Sequence, residues 1–234
     1  MSVSFDFDGR VAVVTGASGA LGSALVERFR SAGATVAAVD QVAPEEDDSL
    51  LDPDENTDFY RADLTKESDV RPMVADVVDD HGRIDALLNV AGTWRGGQPI
   101  EETDLDEYRF LIDVNLTSAF LTTKHALPHL QETEGAVCSV SARSSLAGGS
   151  GDGPYRIAKA GIRLLTETVA EENLGTVRAN CVMPSVMDTP MNREMMTPKD
   201  EWVDPADVAE VMAFLCSEGA SPTSGAAVPV YGEA

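Results

Sequence analysis

Val11-Ala12-Val13-Val14-Thr15 runs without a break into Gly16-Ala17-Ser18-Gly19-Ala20-Leu21-Gly22. The first five residues are small or β-branched with no polar alternation, the pattern of a strand buried on both faces. The next seven carry three glycines, and an amphipathic stretch, Leu21–Ser31, follows and closes at Gly33. Strand, glycine-rich turn and helix in that order read as the start of a βαβ unit.

The same alternation continues outward. Thr35–Val39, Ala86–Val90, Ala136–Ser141, Val177–Met183 and Ala227–Val230 read as further strands. Between them, Val70–His81 places Val70, Val74, Val77 and Val78 on one side of a helix. Leu105–Gln131, Tyr155–Leu174 and Ala206–Ser217 supply three more. This rhythm predicts an α/β fold, a single-domain, doubly wound parallel sheet with helices on both faces, over residues 1–234. No fixed-period repeat and no second domain is visible.

Composition narrows the field. Of 234 residues, 40 are Asp or Glu and 17 are Lys or Arg, for a net charge of −23. Such a surface repels nucleic acid and anionic membrane. Carboxylates are spread along nearly the whole chain and lysines number only four, which favours adaptation to high salt over one cation-binding or basic-partner surface. The stretch Glu45–Asp58, EEDDSLLDPDENTD, reads as a solvated acidic loop that could add negative potential near a bound ribose. No apolar run reaches the ~18 residues of a membrane span, and MSVSFDFDGR lacks the marks of a secretory signal. Cys138, Cys181 and Cys216 form neither a metal-ligand spacing nor a disulfide framework. The expectation is a cytoplasmic protein with no metal site.

The chemistry sits in two places. Glycines at 16, 19 and 22 let a backbone turn tightly and a pyrophosphate approach, while the following helix offers its free N–H groups. Asp40, eighteen residues past Gly22 at the end of the second strand, suits a ribose 2′-hydroxyl and repels a 2′-phosphate. No Arg or Lys follows in Gln41–Pro44, so the reading is NAD(H) rather than NADP(H). Tyr155 and Lys159, at i and i+4, share a helix face, where an ammonium could lower a phenol's ordinary pKa of ~10 toward use as an acid/base.

Taken with Asp63-Leu64, Asn89-Val90-Ala91-Gly92, Asn115 in Asp113–Leu116, and Asn180–Met191, these motifs occur in an order that resembles the short-chain dehydrogenase/reductase family from about residue 8 onward. The resemblance implies a Rossmann-type fold and hydride transfer between NAD(H) and a carbonyl/alcohol pair. Tyr155 would be the acid/base, Lys159 would tune it and bind the nicotinamide ribose, and Asn115 would hold a water in a proton relay. Gly16, Ser18, Gly19, Ala20, Leu21 and Gly22 would cradle the phosphates. Asp63, Leu64, Asn89, Ala91 and Gly92 would line the adenosine side, and Pro184 and Thr189 the nicotinamide. It also implies a homotetramer or homodimer, built from the helices after Leu105 and from Tyr155 and from Gly225–Gly232. Residues 190–204 would form a substrate lid, with Met187, Met191, Met195 and Met196 as an adaptable lining.

Three departures stand out. Ala20 occupies the middle glycine of the family's usual TGxxxGxG turn, and Ser185 replaces the glycine after Pro184. The family's catalytic serine falls at Ala142, thirteen residues before Tyr155. Ser141 is a weak substitute, because one step along a strand reverses the side chain, and Ser144 is another. Ala142 with the Val90–Gly97 loop is also similar to the dihydropteridine reductase branch, whose quinonoid pterin needs less carbonyl polarisation. A low-turnover NAD(H)-binding regulator is the remaining alternative. Trp94, Arg95, Arg143 and Arg193 could face the substrate, or the arginines could serve as surface ion-pair partners.

Overall fold

The computed structural model describes residues 5–232. Seven strands form one all-parallel sheet in the order β3-β2-β1-β4-β5-β6-β7. They are β1 Val11–Thr15, β2 Thr35–Asp40, β3 Thr57–Arg61, β4 Ala86–Asn89, β5 Ala136–Val140, β6 Arg178–Pro184 and β7 Ala227–Val230. The helices are α1 Ala20–Arg30, α2 Glu67–His81, α3 Leu105–Ile112, α4 Ser118–Thr133, α5 Gly153–Glu172, α6 Pro190–Met195 and α7 Pro205–Cys216.

Period-two alternation divides the strands between two cores. Ala12 and Val14 of β1 pack with Val36, Leu88, Cys138 and Val182 under α1 and α7, where Phe29, Leu25 and Met212 are fully buried. Val11 and Val13 face the other way, with Ala37, Leu87, Val137 and Ala179, under α2, α4 and α5. The sheet is therefore covered on both sides, and its chain order reverses between β1 and β4. That reversal opens a crevice beyond the strands' C-terminal ends.

Three elements differ from the sequence reading. The stretch Thr57–Arg61 is a strand, hidden from pattern reading because β3 is an edge on which only Thr57 is buried. The long helix expected over Leu105–Gln131 is interrupted by a π-helical turn, Asp113–Thr117. The 190–204 segment contains a short helix, α6, and is tied back at its base, where Asp188 N–H donates to Val203 O at 2.8 Å and Val203 N–H to Val186 O at 2.9 Å.

The acidic stretch after β2 is also more anchored than a solvated loop. It carries β2 over to β3 with no helix, and Leu51 inserts into the α1-side core. Leu50 N–H donates to Ser18 O at 2.9 Å, Arg30 pairs with Asp54 at 3.3 Å, and Arg61 pairs with Glu46 at 2.5 Å. Leu50 itself stands half exposed. Leu51→Ala is expected to lower unfolding stability by about 2–4 kcal/mol, and Leu50→Ala by under about 1 kcal/mol, in chemical denaturation. Equal losses would show that Leu51 is not the anchor.

Candidate functional site

The crevice at the chain reversal is a cleft of about 1390 Å³. One end is built from the turn between β1 and α1. Gly16 has φ +67°, and a Cβ there would lie 2.9 Å from Ala91 Cα. A Cβ on Gly22 would run into the Gly16 carbonyl oxygen. Thr15 holds the two strand ends together: its hydroxyl accepts from Val90 N–H at 2.9 Å and Ala91 N–H at 3.2 Å and donates to Leu88 O. The first turn of α1 carries no acidic side chain, and its cap, Gly19, offers no side-chain acceptor. The bare backbone and unopposed helix N-terminus therefore fit an anionic pyrophosphate.

Asp40 lies at the same end and is fixed in place. One carboxylate oxygen accepts from Ser18 N–H at 3.0 Å, and the other from Gln41 N–H at 2.7 Å and Val42 N–H at 3.2 Å. Leu64, Ala91 and Gly92 share this wall with Asp48 and Leu50 from the acidic crossover, the stretch whose charge is expected near a ribose, although neither residue is singled out by the sequence. Asp63 and Asn89 stand behind the wall. Asp63 accepts from Thr65 N–H and hydroxyl and pairs with Lys66, which closes the turn into α2. Asn89 bonds Thr122, Thr123 and Ser139 inside the fold.

The other end brings Asn115, Tyr155 and Lys159 together. Asn115 sits in the π-helical turn and is 1% exposed. Its amide donates to Thr93 O at 2.9 Å and Leu111 O at 3.0 Å, and its oxygen accepts from Thr93 N–H at 3.2 Å. Lys159 reaches from α5 to Val140 O at 3.0 Å, with its ammonium 5.8 Å from the Tyr155 ring centre. Burial pulls that ammonium down to about 8. Tyr155 departs from the sequence expectation of a lowered phenol: burial first and the Asp152 carboxylate second push it up to about 12.

Ala142 forms part of the wall and offers no donor. Ser141 also lines the cleft but is 1% exposed, and its hydroxyl is engaged inside the protein, donating to Lys159 O at 2.7 Å and accepting from the Ser145 hydroxyl at 3.1 Å. The Ser144 and Ser185 hydroxyls border the cleft with no hydrogen-bond partner among the described residues. Pro184, Thr189, Trp94, Arg143, Met187, Met191, Met195 and Met196 line this end as well. Arg95 and Arg193 are not brought to it: Arg95 lies 3.9 Å over the Phe110 ring, and Arg193 pairs with Asp188. Sequence reading missed Asp152, Arg156 and Trp202 in the wall. Asp152 immediately precedes α5, the one signal that could have marked it.

Comparison with known proteins now has a geometry to attach to. Residues 16–232 match the family model described as enoyl-(acyl carrier protein) reductase. The fold superimposes on a short-chain dehydrogenase/reductase, a glucose/ribitol dehydrogenase, of Brucella melitensis with a TM-score of 0.90 and 27% identity, covering 99% of this chain and 98% of that one. The chain belongs to the short-chain dehydrogenase/reductase family. Among curated relatives, meso-2,3-butanediol dehydrogenase of Serratia marcescens is 35% identical over 97% of this chain and 95% of its own. L-fucose dehydrogenase of Oryctolagus cuniculus is 32% identical over 91% and 80%. The protein is a hydride-transferring oxidoreductase of this family that works with an NAD(P)-type cofactor.

The cradle makes a direct prediction for the enzyme. Gly22→Ala forces the turn away from the Gly16 carbonyl, and ADP-ribose affinity is expected to fall by about tenfold or more. Calorimetry on folded protein checks this, and an unchanged affinity would place the phosphates elsewhere.

Proposed function

We propose that the enzyme transfers hydride between NAD(H) and a ketone/secondary-alcohol pair, with Tyr155 as acid/base. The observation that carries this reading is the convergence of Asn115, Tyr155 and Lys159 on the same cleft as the Gly16–Gly22 turn and Asp40. When bound, NAD(H) supplies or accepts the hydride. A phenol at about 12 holds its proton at neutral pH, so Tyr155 stands ready to give it to a substrate oxygen as reduction proceeds. The Lys159 ammonium stabilises the phenolate left behind and would donate to the nicotinamide ribose of the bound cofactor, and Asn115, pinned to Thr93, orders the proton path. Pro184 and Thr189, which line the same end of the cleft, would hold the carboxamide of the bound cofactor.

Three hydrogen bonds fix the Asp40 carboxylate where a ribose hydroxyl would be met, and the nearby Asp48 adds to the repulsion of a 2′-phosphate. Both favour NAD(H) over NADP(H). Residues 190–204 act as the substrate lid. Exposed Phe120 on α4 and exposed Ile157 and Leu164 on α5 favour a homotetramer or homodimer through those helices. A net charge of −23 supports function in high salt, and buried free thiols at Cys138, Cys181 and Cys216 suit the reducing cytoplasm. A wall donor is absent at Ala142, so a quinonoid pterin is included among the trial acceptors.

The test is titration with NADH and NADPH by cofactor fluorescence in roughly 2 M KCl, which screens the acidic surface. NADH is expected to bind about tenfold or more tightly than NADPH, and oxidation of NADH to follow addition of an acceptor ketone. Tyr155→Phe is expected to keep NADH binding and lose about 100-fold or more of kcat. Retained turnover would remove Tyr155 from the chemistry, and an absence of turnover in wild type with any acceptor would favour a regulator.

The pH dependence has a definite sign. Lys159 is charged below about 8 and neutral above it. Reduction kcat/KM is therefore expected to fall as pH rises through about 8, while Tyr155, at about 12, remains protonated. Lys159→Arg keeps its charge and should carry the fall to higher pH. A profile that Lys159→Arg leaves in place would assign the inflection to another group.

A further inference from the structure

The Tyr155 end of the cleft has a wall that hydride transfer itself does not require. Met191, Met195 and Met196, in and just after α6, are 53%, 45% and 43% exposed, and all three line the cleft with Trp94 and Trp202. Leaving that much apolar surface in water costs about 25 cal/mol per Å². Methionine adds shape tolerance, because its unbranched thioether repacks around differing apolar bodies. Apolar surface held open at a cleft mouth marks an apolar ligand.

The charged groups at this end are already engaged, and the Ser144 and Ser185 hydroxyls are left to meet a single carbonyl or hydroxyl oxygen. Asp152 accepts from Arg156 Nε at 2.5 Å, and the same guanidinium donates to Ser144 O at 3.0 Å and Ala147 O at 3.1 Å. Lys199 pairs with Glu201 at 3.4 Å, and Arg143 lies 4.5 Å over the Tyr231 ring. The Asn192 amide donates to Met187 O at 2.8 Å. A carboxylate substrate would have to break one of these pairs to find a cation. A sugar could offer hydroxyl groups to Ser144 and Ser185, but its remaining hydroxyls would face thioethers and indoles unbonded, which is costly.

We propose that the substrate is an uncharged ketone, or the matching secondary alcohol, with an apolar aliphatic or alicyclic body seated on Met191, Met195, Met196, Trp94 and Trp202. This deepens the hydride-transfer reading and rests on it. In reduction, the carbonyl carbon gains the hydride of NADH as the C=O π pair moves to oxygen. That oxygen takes the Tyr155 proton, so ketone, NADH and one proton become secondary alcohol and NAD+.

Trp94 and Trp202 are the chain's two tryptophans, so intrinsic fluorescence reports on this wall alone. The experiment first measures the NADH Kd in roughly 2 M KCl. Cyclohexanone, 4-oxocyclohexanecarboxylate and D-glucose are then compared by kcat/KM in the appropriate direction and by tryptophan quenching, with and without cofactor. The expected result is saturable quenching by cyclohexanone and a kcat/KM about tenfold or more above that of its carboxylate analogue and of glucose. Met191→Gln/Met195→Gln is expected to raise the KM for cyclohexanone about fivefold or more and leave the NADH Kd unchanged. The proposal is overturned if the carboxylate or the sugar is preferred, if cyclohexanone gives no saturable quenching, or if the double variant leaves its KM in place. Failure of NADH to bind would instead overturn the hydride-transfer reading, and the quenching comparison would still decide whether the wall takes an apolar ligand.

Discussion

Everything at this site depends on how closely two backbones meet where the sheet's chain order reverses. β1 and β4 are hydrogen-bonded neighbours, and past their ends the chains separate in opposite senses. The Thr15 hydroxyl bridges that parting point through three backbone groups of residues 88–91. Gly16 then turns with no side chain, because Ala91 already occupies the space a Cβ would take. A bulkier residue at position 16 would wedge the strands apart and tilt α1 away from the crevice. The glycine turn, the Asp40 wall and the Tyr155 end of the cleft are all placed relative to this one contact.

A second constraint governs the catalytic end. An ammonium taken out of water costs several kcal/mol unless it is bonded, and Lys159 is 5% exposed. It answers this with the Val140 carbonyl, while its own backbone carbonyl accepts from Ser141. Two consecutive residues where β5 ends thus grip Lys159 at its head and at its main chain. Ser141 is therefore a positioning residue: its hydroxyl fixes α5 against the strand end that Lys159 crosses. Ser141, next to Ala142, also lines the cleft, with its hydroxyl proton given to Lys159 O.

Much of this was legible in the sequence because it was written in periodicity and glycine spacing. Buried strands, the β1–α1 turn, Asp40 and the Tyr155/Lys159 pair all follow from local pattern. What escaped was set by tertiary context. β3 is an edge strand whose outward faces carry Asp58 and Arg61, so it lacks a run of apolar residues. The π-helical turn at Asp113–Thr117 leaves no mark in hydrophobic spacing, yet it holds Asn115 inward with its amide on both Thr93 and Leu111. Leu51 lies inside a run of carboxylates whose composition signals solvent, and one side chain overrides it. Asn89 shows the reverse: its motif was plain, but its amide is committed to Thr122, Thr123 and Ser139.

The crossover from β2 to β3 has a consequence for where the molecule opens. Without a helix, it lacks the repeating backbone hydrogen bonds that make a segment cooperative, and Ala43 and Leu51 are its buried anchors. Such a stretch exchanges its amide protons through small local openings, at a free-energy cost well below that of unfolding the sheet. Its tether to Ser18 joins those openings to the glycine turn after β1. A ligand held against the Asp40 end of the cleft would therefore slow hydrogen exchange across residues 43–51 while leaving the β5–β6 pairing at its global rate, so that the crossover becomes the part of the fold whose lifetime reports the ligand.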